Sequence, residues 1–499
     1  MKKKLEAAME HIRDEHIAEA ATYRKKRSLA PWLGAVAAVL AVCICAGVLW
    51  RPIGGADPIA TLAEPAVNPM EGGGAVSKGA HLKYAITTPI YPAVCGYPLA
   101  EDFEHGQWQA WQDGQKALHS QPAGYADNLQ DYFARSTALL LGSGEGSNAA
   151  CSPINIYMAL AMLAEITGGE SRAQLLELLN APSVEALRTQ AGQVWKAHYN
   201  DDGLSKSILA SSLWLEEGYK VNEATAKLLA ESYYASVFRG DLGSETMNEA
   251  LRSWLSEQTG GLLDEYVGNV SLDPRTVLAL ATTINYQVQW IDKFWDELNT
   301  EGTFHSSKGN TTETFMNTTL MYGPYYWADR FGAVSLSLEG GSRMWLFLPD
   351  EGVTPEQLMG AGDIFDFLAQ TPHLPNSSYE NKKSIMVNLS LPKFDISSEA
   401  DLIGQLKAMG VTNIFTPGTA DFSPIFPEPD GGFVNQVQHA ARVAVDEEGV
   451  TAAAFTVIGY CGAGMPPTDE MDLVFDRPFA FVIESNDNLP LFAGIVNEP

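Results

Sequence analysis

The chain has 499 residues, 46% apolar and 19% charged, enough to bury a large core. Its net charge is -29; residues 1–51 are basic by +4, so the remainder carries -33. A body that acidic repels the phosphate backbone, which excludes nucleic acid as a partner. The five cysteines show no CxxC spacing, the nine histidines form no HExxH pair, and no phosphate-cradling or nucleophile-elbow glycine pattern occurs. No metal, cofactor or catalytic residue is therefore expected.

Residues 1–27 form a short charged segment ending in Arg24-Lys25-Lys26-Arg27. From Leu29 to Trp50, 22 residues carry no charge. As a helix they would reach roughly 33 Å, enough to cross a bilayer. Pro31 lies near the start, where a helix tolerates it, and Trp32 and Trp50 flank the run as interface aromatics do. Residues 28–50 are accordingly expected to be a transmembrane signal-anchor. The basic flank would hold 1–27 in the cytoplasm and place the body outside a cell membrane crossed once. A cleaved signal peptide and a secreted body is the alternative. Residues 51–80, with four prolines and Gly72-Gly73-Gly74, read as a flexible linker. The body is 81–499, and its first stretch, 81–122, carries Tyr84, Tyr91, Tyr97, Trp108 and Trp111, which should pack on the rest.

Helical apolar spacing predicts helices over Tyr125–Leu141, Pro153–Ile166, Glu170–Leu179, Val184–Tyr199, Glu223–Tyr233 and Met247–Gln258. Extended runs follow: Ser207–Leu215, Val277–Ile284, Val334–Leu338, Met344–Leu348, Ile385–Leu391, Phe433–Val445, Phe479–Ile483 and Leu491–Val496. Helices first and strands later predict an α+β fold with a large mixed or antiparallel sheet.

The most informative stretch is Val445–Pro467. Asp446-Glu447-Glu448 is a charged stop, and Gly449 is a permissive joint. Val450–Ile458 has no charge, Pro or Gly, yet its alanines are weak strand formers. Gly459, Gly462, Gly464, Pro466 and Pro467 make an irregular loop, and a strand signal resumes at Leu473. A long loop joined to an uncommitted strand is a functional pattern.

From about residue 125 to the end, the chain resembles a serpin in a prokaryotic-looking, membrane-anchored form. The resemblance rests on Glu447-Glu448-Gly449 followed by Thr451-Ala452-Ala453-Ala454, on Phe475-Asp476-Arg477-Pro478-Phe479, and on the terminal Pro490–Asn497. Ser152-Pro153-Ile154, Gly169-Glu170-Ser171-Arg172, Trp254 with Thr259-Gly260, Trp290 with Phe294, Thr303-Phe304, Leu348–Gly352 and Leu391-Pro392-Lys393-Phe394 align in order. It implies a serpin fold with an exposed reactive-centre loop near the C-terminus. The implied sites are a hinge at Glu447–Ala454, a breach residue at Trp290, and a sheet-opening cluster of Ser152, Asn155, Thr282 and His439. In that cluster Asn155 and Thr282 depart from the family's usual Ser and Asn, and Val450 stands where Thr or Ser is usual.

The implied activity is suicide inhibition of a serine protease. The protease cleaves the loop, the hinge side enters the main sheet as a new strand, and the enzyme is trapped as a covalent acyl-enzyme. The inhibitor itself would be a monomer and no enzyme. By the family's spacing of about fifteen residues after Gly449, the reactive bond is Ala463–Gly464, with Tyr460, Cys461, Gly462 and Met465 around it. Small residues at the bond point to elastase-like or subtilisin-like targets, and the absence of Lys and Arg between Glu448 and Arg477 argues against trypsin-like ones. An inserted strand buries alternate residues, here Val450, Ala452, Ala454, Thr456 and Ile458, none of them charged. The alternatives are a serpin-fold binding protein or chaperone, and an inhibitor of cysteine proteases.

Overall fold

The computed structural model describes residues 39–43, 79–98, 105–144, 146–261, 264–268, 270–428, 432–434, 437–450 and 469–499. The strands run, in chain order, β1 (Val39–Cys43), β2 (Ala85–Thr87), β3 (Ala149–Cys151), β4 (Asn200–Asp201), β5 (Lys206–Glu216), β6 (Ala235–Gly240), β7 (Leu278–Gln289), β8 (Thr300–Ser306), β9 (Gly309–Trp327), β10 (Phe331–Ser337), β11 (Arg343–Pro349), β12 (Lys382–Pro392), β13 (Phe394–Asp401), β14 (Gln438–Val445), β15 (Gly449–Val450), β16 (Glu470–Val474), β17 (Phe479–Glu484) and β18 (Pro490–Val496). They build two sheets. The first is ordered β13-β14-β1-β7-β5-β6-β2, with β15 also on β7 and β4 on β5. The second is ordered β16-β12-β9-β10-β11-β17-β18-β3, with β8 on β9. Only β5–β6 and β12–β16 are parallel pairs among the described residues.

Both faces of the first sheet are covered, which explains why β5 and β7 read as continuous apolar runs. Leu209, Leu213, Leu278, Leu280 and Ile284 join the large core that holds the helix Pro153–Ile166. Their neighbours Ala210, Trp214, Ala279 and Ala281 point to the other side, against Met247, Leu251, Trp254 and Leu255 of the helix Glu245–Gln258. That helix starts where Ser244 Oγ accepts from Met247 N at 3.2 Å, and its apolar residues repeat at three- and four-residue steps. The helix Pro153–Ile166 is apolar on every side, and every one of its residues is buried. Its one charge, Glu165, is compensated: Arg188 donates to both carboxylate oxygens at 2.9 and 2.8 Å, and the Tyr233 hydroxyl donates at 3.0 Å.

The predicted helices and strands of the body are present within a few residues of their expected ends. The stretch 81–122 packs on them as its aromatics suggest: Tyr91 contacts Trp195 and Tyr199, and Trp111 Nε1 donates to Asp202 at 3.1 Å. Several elements go beyond the sequence reading, among them the helices His105–His119, Pro355–Ala361 and Asp363–Leu368, the strand β6, the polar hairpin β8–β9, and β13, whose alternate residues Asp395, Ser397 and Glu399 carry no apolar stripe.

The expectation of a transmembrane helix over 28–50 is corrected. Among the described residues, no helix is long and apolar enough to cross a membrane. The middle of the run, Val39–Cys43, is instead a strand of the first sheet, paired on both sides. Hydropathy scores side chains only. It does not register that two open strand edges can satisfy an uncharged backbone as fully as a helix does. With the span goes the localisation built on it, a cell-membrane protein with an extracytoplasmic body. Residues 1–27, the flanks of the run and the linker up to 78 lie outside the described residues.

Candidate functional site: the hinge and the seam of the first sheet

The hinge leaves β14 at Val445, makes a tight turn and returns as β15. Asp446 Oδ1 accepts from Glu448 N at 2.9 Å and Gly449 N at 3.2 Å, and Asp446 N donates to Gly449 O at 3.2 Å. Burial, with Glu447 and Glu448 adding repulsion, raises the Asp446 carboxyl above its ordinary value. Gly449 then pairs with Gln289 and Val450 with Val288, so Val450 is fully buried at the top of β7. Gly449 has φ 151°, and a Cβ there would lie 2.4 Å from Val288 O. The hinge glycine is thus demanded by its contact with the β7 backbone.

Trp290, one residue past β7 and 1% exposed, clamps this turn. Its Nε1 donates to Asp446 O at 2.9 Å and its backbone N to Glu448 O at 3.1 Å. Phe294 N donates to Glu447 O at 3.3 Å. The two hinge glutamates are held by partners that the sequence reading did not assign. Glu447 is buried and meets both Lys393 and Asn299; burial works against its ionised form, but these two partners outweigh burial and lower its pKa. Glu448 pairs with Lys293 at 2.5 Å. Lys393 sits in the Leu391–Phe394 motif, so one of the three was visible as a motif though not as a partner.

Lower on the same seam lies the polar cluster. Ser152, Asn155, Thr282 and His439 are all at most 1% exposed. Ser152 stands at the N-cap position of the central helix without a side-chain capping bond, Asn155 lies in its first turn, Thr282 is in β7, and His439 is in β14. Ser152 N donates to His439 Nε2 at 3.1 Å, which requires that nitrogen to be unprotonated. Burial agrees, pushing His439 down to about 3. The hydroxyls of Ser152 and Thr283 are buried without a hydrogen-bond partner among the described residues. An unsatisfied hydroxyl carries a desolvation cost, which marks this seam as weaker than a fully paired sheet. Hinge, clamp and cluster therefore come together along β7 and β14. Residues 451–468, which contain Thr451, Ala452, Ala453, Ala454, Tyr460, Cys461, Gly462, Ala463, Gly464 and Met465, lie outside the described residues. Their two ends are fixed: Val450 is in the first sheet, and Glu470 starts β16 in the second.

Comparison with known proteins agrees with this geometry. The family model "Serpin (serine protease inhibitor)" matches residues 130–499. Serpin-ZX of Arabidopsis thaliana is 29% identical over 373 residues, covering 71% of this chain and 93% of the relative. Alpha-1-antitrypsin of Meriones unguiculatus is 28% identical over 385 residues, covering 75% and 90%. The crystal structure of tengpin, a thermophilic serpin, in the native state superposes with a TM-score of 0.65 at 26% identity, covering 76% of this chain and 95% of tengpin. The plant and mammalian relatives give no support to the prokaryotic-looking reading.

Proposed function

The chain belongs to the serpin family, and we propose that it inhibits elastase-like or subtilisin-like serine proteases as a single-use substrate. The protease serine attacks the Ala463 carbonyl, the amine of Gly464 leaves, and the acyl-enzyme ester is carried along as the hinge side of the loop enters the first sheet between β7 and β14. The protein acts as a monomer in a covalent one-to-one complex and contributes no catalytic residue. One observation carries the reading: Val450 is already seated on β7, and the residues that would follow it into the sheet, up to Ile458, contain no charge, Pro or Gly. A charge on the buried side of that strand would cost several kcal/mol, and a proline would break its ladder.

The test is incubation of residues 79–499 with elastase and with subtilisin. The expected result is an SDS-stable complex and a released C-terminal peptide that begins at Gly464. Cleavage by both enzymes without any stable complex would overturn inhibition and favour a serpin-fold binding protein.

A further inference from the structure

Val39–Cys43 lie between β7 and β14 and run antiparallel to both. On β7 the register is Val39 with Tyr286, Leu40 with Asn285, Ala41 with Ile284, Val42 with Thr283 and Cys43 with Thr282. On β14, Leu40, Ala41 and Val42 pair with Arg442, Ala441 and Ala440. The loop's leading residues pair on the same strand two positions further up, Gly449 with Gln289 and Val450 with Val288. A loop that entered the sheet in that register would set Ala452 opposite Tyr286, Ala453 opposite Asn285, Ala454 opposite Ile284, Phe455 opposite Thr283 and Thr456 opposite Thr282. These are the five positions that Val39–Cys43 hold.

We infer that Val39–Cys43 is an internal plug: a segment of the chain's own N-terminal region that occupies the strand slot the cleaved loop must enter. The inference rests on the loop-insertion reading for its consequence, but its geometry stands apart from it. Both runs are uncharged and free of Gly and Pro, as a strand paired on both sides requires. The slot offers two facing rows of backbone donors and acceptors, which an empty gap would leave unpaired. The plug pairs only five positions of β7, whereas the loop run extends to Ile458 and adds the slots beyond Thr282. In the same register the exchange would put Thr456 opposite Thr282, the position on β7 with which Cys43 now pairs. The plug therefore keeps β7 and β14 one strand apart while slowing entry of the loop. In the full chain a cleaved loop competes with an occupant, so more encounters end in turnover rather than in a trapped protease.

The experiment uses the full-length chain and two variants of it, Ala41→Pro and Leu40→Asp. Hydrogen exchange of the wild type should show the amides of 39–43 exchanging at least about a hundredfold slower than in an unstructured peptide. Both variants should lose that protection and expose 282–286 as well. A labelled peptide copying Thr451–Ile458 should enter the variants about tenfold faster than the wild type or more. Should the proline variant fold poorly, the aspartate variant, which puts a charge into the uncharged run without removing a backbone donor, answers the same question. Unprotected amides at 39–43 in the wild type, or equal peptide uptake by all three chains, would overturn the plug. Faster peptide uptake by the variants with no protease complex from any chain would sink the inhibitor reading and leave the plug standing.

Discussion

The two sheets solve opposite problems. In the second sheet β17 pairs with β11 over Arg343–Phe347 and with β18 from Phe479 to Glu484 across one bulge, and every residue of β17 and β18 is buried. Its one buried acid, Glu484, accepts from Trp345 Nε1 at 2.5 Å. The first sheet places β7 and β14 on either side of a five-residue strand drawn from far away in sequence, and lines their seam with Ser152, Asn155, Thr282, Thr283 and His439. Apolar neighbours buried along their whole length make a sheet that stays shut. Polar side chains and a short third strand are what the proposed insertion asks of a sheet that must exchange its central member at small cost. The residues on either side of 451–468 lie one in each sheet, Val450 on β7 in the first and Glu470 in β16 of the second.

Cleavage of residues 79–499 near Ala463 should have the largest effect. Each ladder hydrogen bond gained is worth only about 0.5–1.5 kcal/mol net, but a run of roughly nine residues, with burial of its apolar side chains, adds several kcal/mol. Against a native stability of about 5–15 kcal/mol, the thermal midpoint should rise by on the order of 10 °C, with both fragments associated. Equal midpoints would erase the contrast between the sheets. Next in size is Ala454→Arg, which puts a charge on the side of the strand that must be buried. Complex yield should fall about tenfold or more while cleavage continues, since several kcal/mol of desolvation opposes insertion; an unchanged yield would refute the alternation.

Acid should separate the two sheets by sign. His439 is neutral when folded, with its pKa pushed down to about 3 from 6.5 by burial. Between those values the unfolded chain binds the extra proton, so stability falls as pH drops, with a slope of up to about 1.4 kcal/mol per unit. Glu484 is the reverse: burial raises it to about 7 from 4.5, although Trp345 and Arg343 pull it down. The unfolded chain loses that proton first, so stability falls as pH rises from 4.5 to 7. In denaturant titrations His439→Gln should flatten the acid limb and Glu484→Gln the neutral limb; the same limb changing in both would merge the two regions. The smallest effect belongs to Trp290→Phe. It removes the Nε1 bond to Asp446 O and should cost about 1 kcal/mol, together with faster hydrogen exchange at Gly449 and Val450. No change in exchange there would show that the clamp does not hold the hinge.

The sequence made the helix Pro153–Ile166 legible because fourteen residues with one charge have no solvent face. It made the turn Asp446–Gly449 legible because three acids followed by a glycine stop a strand. Trp290 was legible as a motif, and its bond to Asp446 explains that motif physically. The pairing of Glu447 with Lys393 and of Glu448 with Lys293 was hidden, because charge pairs far apart in sequence leave no local pattern. β13 and the β8–β9 hairpin were hidden because their strands are polar on the exposed side and rich in Thr and Ser. Val39–Cys43 misled for the opposite reason: an apolar run announces burial without naming what buries it, and here two strand edges take the place of lipid.

The central claim is that the first sheet accepts the loop between β7 and β14. The most direct measurement is hydrogen exchange of the amides Ala452–Thr456 in residues 79–499 before and after cleavage near Ala463. Fast exchange before cleavage and strong protection after it, shared with 282–286 and 440–442, is the predicted result. Amides that exchange as fast in the cleaved protein as in the intact one would contradict it.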